Sequence, residues 1–487
     1  MAEPDRLCDY QAMFLIEVHS HYRARRAAKT LSSRFEKVYH KSTEDFRSVT
    51  SKIADVVYPP ENATLDQWVQ WIELATWQRL LLSCYVLETQ QAILLAREPV
   101  PSLIQETGLD LPVPTHCSVW DATDPTEWAF AAHRFSHSPR YVYEVTADLT
   151  VPPFDSFQSS VLLAAHCNRI DSPAPYTSSS TRLDIEHLLD TSPITTRQLL
   201  TTKLVQVTPI RALLAVSGES WILSEKVPSA QDFTAMKTTL RGWLLQLWST
   251  SATKASTVAI KEALKLSIDI LQNALKEQQN SITLDWGTGM GIYFAALVLW
   301  AITTTANTRI KGPQKTTQQP LRPQSQSPLP FATGSSPSVA PTPIQLLNQF
   351  PRHPPSVTSS PTQPHNIGPL QSRETSPASP PSIDCNTLLS HAQITINTIT
   401  FLSTALLDFG SSDSLAQLPL NLARCQTGCI SLLLWVKLRL RGVSLEDQSG
   451  MADAWTARPG EGLGELLDGV TGSLERILGK GWSGWGI

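Results

Sequence analysis

Residues 77–128, WQRLLLSCYVLETQQAILLAREPVPSLIQETGLDLPVPTHCSVWDATDPTEW, decide how this chain of 487 residues is read. Arg79 and Glu88 interrupt an otherwise apolar run of Leu80, Leu81, Leu82, Cys84, Tyr85, Val86 and Leu87. A helix that is apolar nearly all round is buried rather than a surface amphipath. Charges inside it need partners, so Arg79 is expected to meet a buried acid, with Glu88 as one candidate. Pro99 and Pro101 end the helix, because proline lacks the donor for the i−4 carbonyl and pushes its predecessor out of the α region. Ser102 with Gln105 reads as a capping box, and Asp124, Pro125 and Glu127 as a second, with proline at the first helical position. Leu111, Pro112, Val113 and Pro114 between them must be extended. The whole stretch is a packing device and holds no set of residues that does chemistry.

Working outward, residues 10–300 carry 3.6-period or all-apolar runs separated by Pro/Ser/Thr-rich joints. That pattern predicts helices at about 9–38, 43–57, 65–97, 102–108, 125–135, 155–170, 183–190, 195–218, 230–248, 254–279 and 287–306. Tyr141 to Val145 is the one plausible strand. From Gly312 to about Asp384 the composition turns to Pro, Ser, Thr and Gln, which buries too little apolar area to offset backbone ordering. The island Ile344 to Phe350 inside it reads as a transient hydrophobic cluster, with a fold-on-binding motif as the alternative. Helical patterning resumes at about 387–409, 421–440 and 462–479. The expected fold is all-α: a large irregular helical domain in two parts, 1–311 and 385–487, interrupted by a disordered Pro/Ser/Thr/Gln-rich insert at 312–384.

The 39 Lys+Arg against 43 Asp+Glu give a net charge of −4, so no global basic field attracts nucleic acid. Seven scattered cysteines, an odd number, are the pattern of a reduced intracellular protein rather than a disulfide framework. The N-terminus, MAEPDRLCDY, has acids where a signal peptide needs a basic region followed by an apolar one.

Each apparent motif has a simpler structural reading. No C-x₂₋₄-C followed by H-x₃₋₅-H occurs, so no tetrahedral zinc site is expected; Cys425 and Cys429, four apart on an apolar helix, share a buried face. Trp286-Gly-Thr-Gly-Met-Gly291 has its third glycine one residue early for a dinucleotide turn, and its glycines admit close helix approach instead. The uncharged run Gly287 to Asn307 is long enough to span a bilayer, but glycines and threonines dilute it and no anchors flank it, so it reads as a core helix. Gly218-Glu-Ser-Trp-Ile222 lacks the last glycine of a nucleophile elbow and the strand before it. Asp121 and Asp124 are acids of a capping loop. His19, His21, Arg23, Arg25, Arg26, Lys29 and Arg34 are expected to form one basic, solvated helix, with nuclear import or phosphate contact as the functional alternative. No catalytic, cofactor-binding, metal-binding or DNA-binding residue is assigned, and no enzyme is expected.

The arginine inside a long apolar helix, the proline stop, the Leu-Pro element, Trp120-Asp-Ala and Glu127-Trp128 together resemble the fungal-specific transcription factor regulatory domain. The version it resembles usually follows a pair of two-cysteine, two-histidine zinc fingers. Arg211 to Trp221 with Glu225-Lys226, Tyr293 to Trp300, and Leu433-Leu434-Trp435 leading to Gly481-Trp482 resemble the same family. The resemblance implies a nuclear regulator of RNA polymerase II genes, with Arg79, Glu88, Trp120, Trp128, Arg211, Glu219 and Trp221 as scaffold positions. It implies that DNA is met only through a finger module missing from this chain, which is also where zinc would sit; the chain itself needs no cofactor. Transcriptional co-regulators, a homo- or heterodimer and no membrane are the partners it implies. A finger-less co-regulator acting by protein contacts, or a helical small-molecule sensor, are the alternatives.

Overall fold

The computed structural model describes residues 6–22, 24, 32–44, 46–55, 63–94, 111–169, 185–218, 229–246, 254–276, 288–311, 391–410, 422–440 and 465–480. Among these the fold is all-α, with no strand. The helices are α1 (Leu7–Tyr22), α2 (Ser33–Thr43), α3 (Phe46–Asp55), α4 (Leu65–Leu94), α5 (Cys117–Trp120), α6 (Pro125–Arg134), α7 (Ser156–Arg169) and α8 (Pro193–Val207). They continue as α9 (Ile210–Ser217), α10 (Ala230–Leu245), α11 (Lys254–Lys276), α12 (Thr288–Lys311), α13 (His391–Gly410), α14 (Leu422–Leu440) and α15 (Glu465–Lys480). The expected insert at 312–384 and the helix at 102–108 lie outside the described residues.

Among the described residues, three apolar clusters organise the helices. One is centred on α12, where every residue from Tyr293 to Ile302 is buried among α8, α9, α11, α14 and α15. That run is apolar on all sides because it has no solvent side. Tyr293 Oη reaches Ser473 Oγ on α15 at 3.0 Å, and Thr303 Oγ1 lies 3.2 Å from Cys429 Sγ on α14. Gly291 lets α12 approach α8 closely, since a Cβ there would fall 2.1 Å from Thr201 Oγ1. No single described helix is long and apolar enough to cross a membrane.

A second cluster joins α1, α2, α4 and α7, and a third, smaller one joins α3, the N-terminal half of α4, α5 and α6. The long helix α4 thus serves two cores, which is why its apolar positions wrap all the way round. Trp71 and Trp128 meet in the third cluster with ring centroids 5.7 Å apart.

Four sequence expectations are corrected. The helix expected over 9–38 ends at Tyr22 and restarts at Ser33, where the Ser32 side chain caps α2 by accepting the Phe35 N–H. Of the expected basic helix, His21 is buried against Glu17 and Arg34 belongs to α2, while Arg23, Arg25, Arg26 and Lys29 lie outside the described residues. The span 195–218 is two helices bent by 87°, because Pro209 offers no N–H and holds Thr208 extended at φ −126°, ψ 134°. Gly218 closes α9 at φ +93°, a left-handed conformation that suits glycine, so its segment follows a helix and not the strand of a nucleophile elbow. Tyr141 to Val145 is no strand: Tyr141 makes one bridge with Pro112, and Val142–Glu144 turn as a 3₁₀ helix. Glu144 draws the chain round by accepting from the Arg140 and Tyr141 N–H groups at 2.7 and 3.4 Å. Finally, the span 183–190 holds only a 3₁₀ turn, Glu186–Leu188, among its described residues.

The α1–α2 joint carries a pH dependence. Burial pushes the Glu17 carboxyl up, but hydrogen bonds from His21 at 3.0 Å, from the Ser32 hydroxyl at 2.5 Å and from the Ser32 N–H at 2.9 Å outweigh it. The net pKa lies below the ordinary glutamate value. A carboxyl depressed in the folded state contributes stability that is present above its unfolded pKa, about 4.3, and is lost as pH falls through the folded value. We expect Glu17→Gln to be less stable than the wild type near neutrality and to show a shallower loss on acidification below about pH 4. Urea midpoints across that range would show it, and parallel acid limbs would refute it.

Candidate functional site

The described residues with the densest polar organisation lie where the Leu111–Thr115 strap crosses between α4 and α7. Pro112 and Pro114 hold the strap extended and have no N–H to satisfy. Two of its backbone groups pair with the 140–142 segment: Val113 N–H donates to the Arg140 carbonyl and Val142 N–H to the Leu111 carbonyl, both at 2.9 Å. Gln158 Nε2 donates to the Pro114 carbonyl at 2.7 Å, and Arg79 Nη2 to the Thr115 carbonyl at 3.1 Å.

Arg79 is the centre of this arrangement. Its guanidinium carbon lies 4.5 Å from the Trp120 ring centroid and 5.1 Å from that of Phe157. Burial draws its pKa below the usual arginine value, while Asp155 and Asp121 pull it back up. The buried acid expected from sequence is not found among the described residues: half-buried Asp155 and exposed Asp121 act on Arg79 through space without an ion pair, and Glu88 is not among them. Nine residues along one helix put Glu88 about 13 Å away and half a turn out of phase. Glu88 is fully buried elsewhere on α4.

Two helix caps meet beside Arg79. His116 caps α5, its Nδ1 accepting the Ser118 N–H at 3.2 Å, and its ring stacks on Phe135 at 4.2 Å. Asp155 caps α7 in a reciprocal box: its Oδ1 accepts from Gln158 N–H at 2.8 Å, and Gln158 Oε1 accepts from Asp155 N–H at 3.0 Å. Asp155 Oδ2 accepts in addition from the Cys117 N–H at 2.6 Å. The ligand atoms of His116, Cys117 and Asp155 lie within 4.8 Å of one another, a trio that spacing along the chain does not reveal. Its chemistry suits capping better than metal binding. The Nδ1 lone pair is already used, and the Arg79 cation faces the same carboxylate. The Cys117 thiol is pushed up by burial and by Asp155 and Asp121, whereas a metal ligand or nucleophile must be thiolate.

The cap of α6 is as the sequence indicates, with one shift. Asp124 Oδ1 accepts from Thr126 and Glu127 N–H at 2.8 and 2.9 Å, while Glu127 reaches back one residue further, to Thr123 N–H at 2.8 Å. Asp124→Ala is expected to cost about 1 kcal/mol in urea denaturation. A change within error would mean that Glu127 suffices alone.

Of the other scaffold positions, Trp120 is half-buried beside Arg79, Trp128 is fully buried and Arg211 is exposed on α9. Glu219 and Trp221 lie outside the described residues. Next to the strap, α3, α4, α5 and the end of α6 border a half-open cavity of about 100 Å³ that reaches Arg140.

No curated protein and no solved structure matches the chain. A family profile does, that of the fungal specific transcription factor domain, over residues 3–160. The matched span runs from α1 through the strap and the Arg79 cluster into the first turn of α7, taking in the helix, proline strap and tryptophan loop that carry the resemblance. Residues 3–160, about a third of the chain, are thus similar to the fungal specific transcription factor domain.

Proposed function

We propose that this chain is the regulatory and effector part of a nuclear regulator of RNA polymerase II genes, working through transcriptional co-regulators, and that DNA sequence is read by a separate zinc-finger module. The similarity of residues 3–160 to the fungal specific transcription factor domain carries this reading. Two features support the division of labour. The net charge of −4 supplies no general attraction for phosphate, and the sequence holds no paired-finger spacing. Zinc then belongs to the other module, and the helical scaffold contributes shape and contacts.

Tethering residues 1–487 to an unrelated DNA-binding domain at a reporter promoter tests the effector role. The expected result is a change in transcription of several fold against the tether alone, in either direction. An unchanged reporter in inducing and non-inducing media would overturn it. Specific, salt-tolerant binding of duplex DNA by residues 1–487 alone would overturn the separate reading module.

A further inference from the structure

The cavity beside the strap is lined by apolar side chains, by hydroxyl groups and by one cationic residue, the solvent-exposed Arg140. Its roughly 100 Å³ compares with the ~10–15 Å³ that one water requires, so it accommodates a small organic molecule. Ile53, Val113, Val119, Phe135 and Pro139 form apolar wall, and no Asp or Glu lines it. Arg140 is the one fixed charge in the lining, and among the described residues its guanidinium has no ion-pair partner. His116 also lines the cavity, and because its Nδ1 accepts the cap hydrogen bond, its neutral ring carries the proton on Nε2 as a donor. Ser136 and Ser138 add hydroxyls.

We propose that this cavity binds a small monocarboxylic acid with an apolar body, the carboxylate at Arg140 and the hydrocarbon part against Ile53, Val113, Val119 and Phe135. Guanidinium presents a planar fork of donors that matches a carboxylate, and no acid lines the cavity itself, the neighbouring Glu144 carboxylate being held by the Arg140 and Tyr141 backbone N–H groups. The apolar remainder gains by leaving water, while a few convergent polar groups fix orientation, which is the usual division in ligand pockets. A bound acid would bridge α3, α4 and the end of α6 through a strap that Arg79 already holds. The inference rests on the lining alone and stands or falls independently of the transcriptional role.

The test titrates the full chain with benzoate and, separately, with benzyl alcohol, following thermal unfolding and ligand-observed NMR. Benzoate is expected to bind saturably and to raise the melting temperature in a concentration-dependent way. Benzyl alcohol should bind at least tenfold more weakly, and Arg140→Gln should abolish that difference. Ala54→Leu, which fills the cavity from α3, should remove both ligands; Ala132→Val fills it from α6 and serves if Ala54→Leu does not fold. Three outcomes overturn the proposal: no saturable benzoate binding, equal affinity for the two probes, or benzoate affinity unchanged in Arg140→Gln.

Discussion

Arg79→Ala is expected to destabilise the protein by about 3 kcal/mol, because one side chain closes three contacts at once. Its bond to the Thr115 carbonyl is charge-assisted, a class worth about 1.5–3 kcal/mol. Its stacking on Trp120 and Phe157 adds about 0.5–2 kcal/mol in a desolvated setting. Truncation leaves the Thr115 carbonyl without this donor and the Trp120 and Phe157 faces without their filler. Against these losses stands the cost of burying the guanidinium, whose Nε finds no partner, so the sum is not fully realised. Arg79→Lys should recover less than half of the loss, since an ammonium keeps the charge but neither the planar stack nor the fork. Urea denaturation gives the magnitude, and hydrogen exchange locates it: the Val113 amide, which donates to Arg140, should exchange faster in Arg79→Ala. A loss below about 1 kcal/mol would show that the strap is held by Gln158 and the 140–142 bridge without Arg79.

The sequence made the need of Arg79 legible and its solution illegible. A charge in an apolar helix signals a partner, but what answers is the Thr115 carbonyl and the Trp120 and Phe157 rings from other elements, with Asp155 and Asp121 acting through space. The same holds for Asp155 itself. Its spacing to Gln158 is a capping-box signature, readable locally; its second oxygen serves Cys117, 38 residues earlier, which only packing decides. Asp124 and Pro125 were fully readable because cap chemistry is local. The α12 core was readable because burial on every side leaves no polar face. The break at Tyr22 was not, since apolar periodicity continues past it and the capping Ser32 is held by Glu17 from the preceding helix. The bend at Pro209 was readable from proline chemistry, but the apolar run on both sides masked it.

Gly428→Val is expected to cost at least 3 kcal/mol, and Gly428→Ala about 2 kcal/mol, although alanine gains up to about 1 kcal/mol in intrinsic helix propensity over glycine. Gly428 lies on α14 where α13 crosses it, and a Cβ there would stand 2.4 Å from Cδ2, 2.6 Å from Cγ and 2.7 Å from Cβ of Phe401. All three atoms belong to the root of a buried ring, not to a flexible tip, so the ring cannot swing clear without moving its own backbone. Relief requires α13 and α14 to separate, and tight interiors resist even a methylene of displacement. The steric cause is separable from the change of residue. Gly242 and Gly472 lie in helices with nothing within 4 Å of an added Cβ, so alanine there should be neutral or stabilise by up to about 1 kcal/mol. Phe401→Ala alone should cost about 3 kcal/mol as a buried large-to-small change. Combined with Gly428→Ala it should cost 1–2 kcal/mol less than the sum of the two, because the methyl then fills part of the space the ring vacated. Strict additivity in that cycle would mean that α13 and α14 do not cross at Gly428, and the packing of residues 391–410 on 422–440 would have to be redrawn.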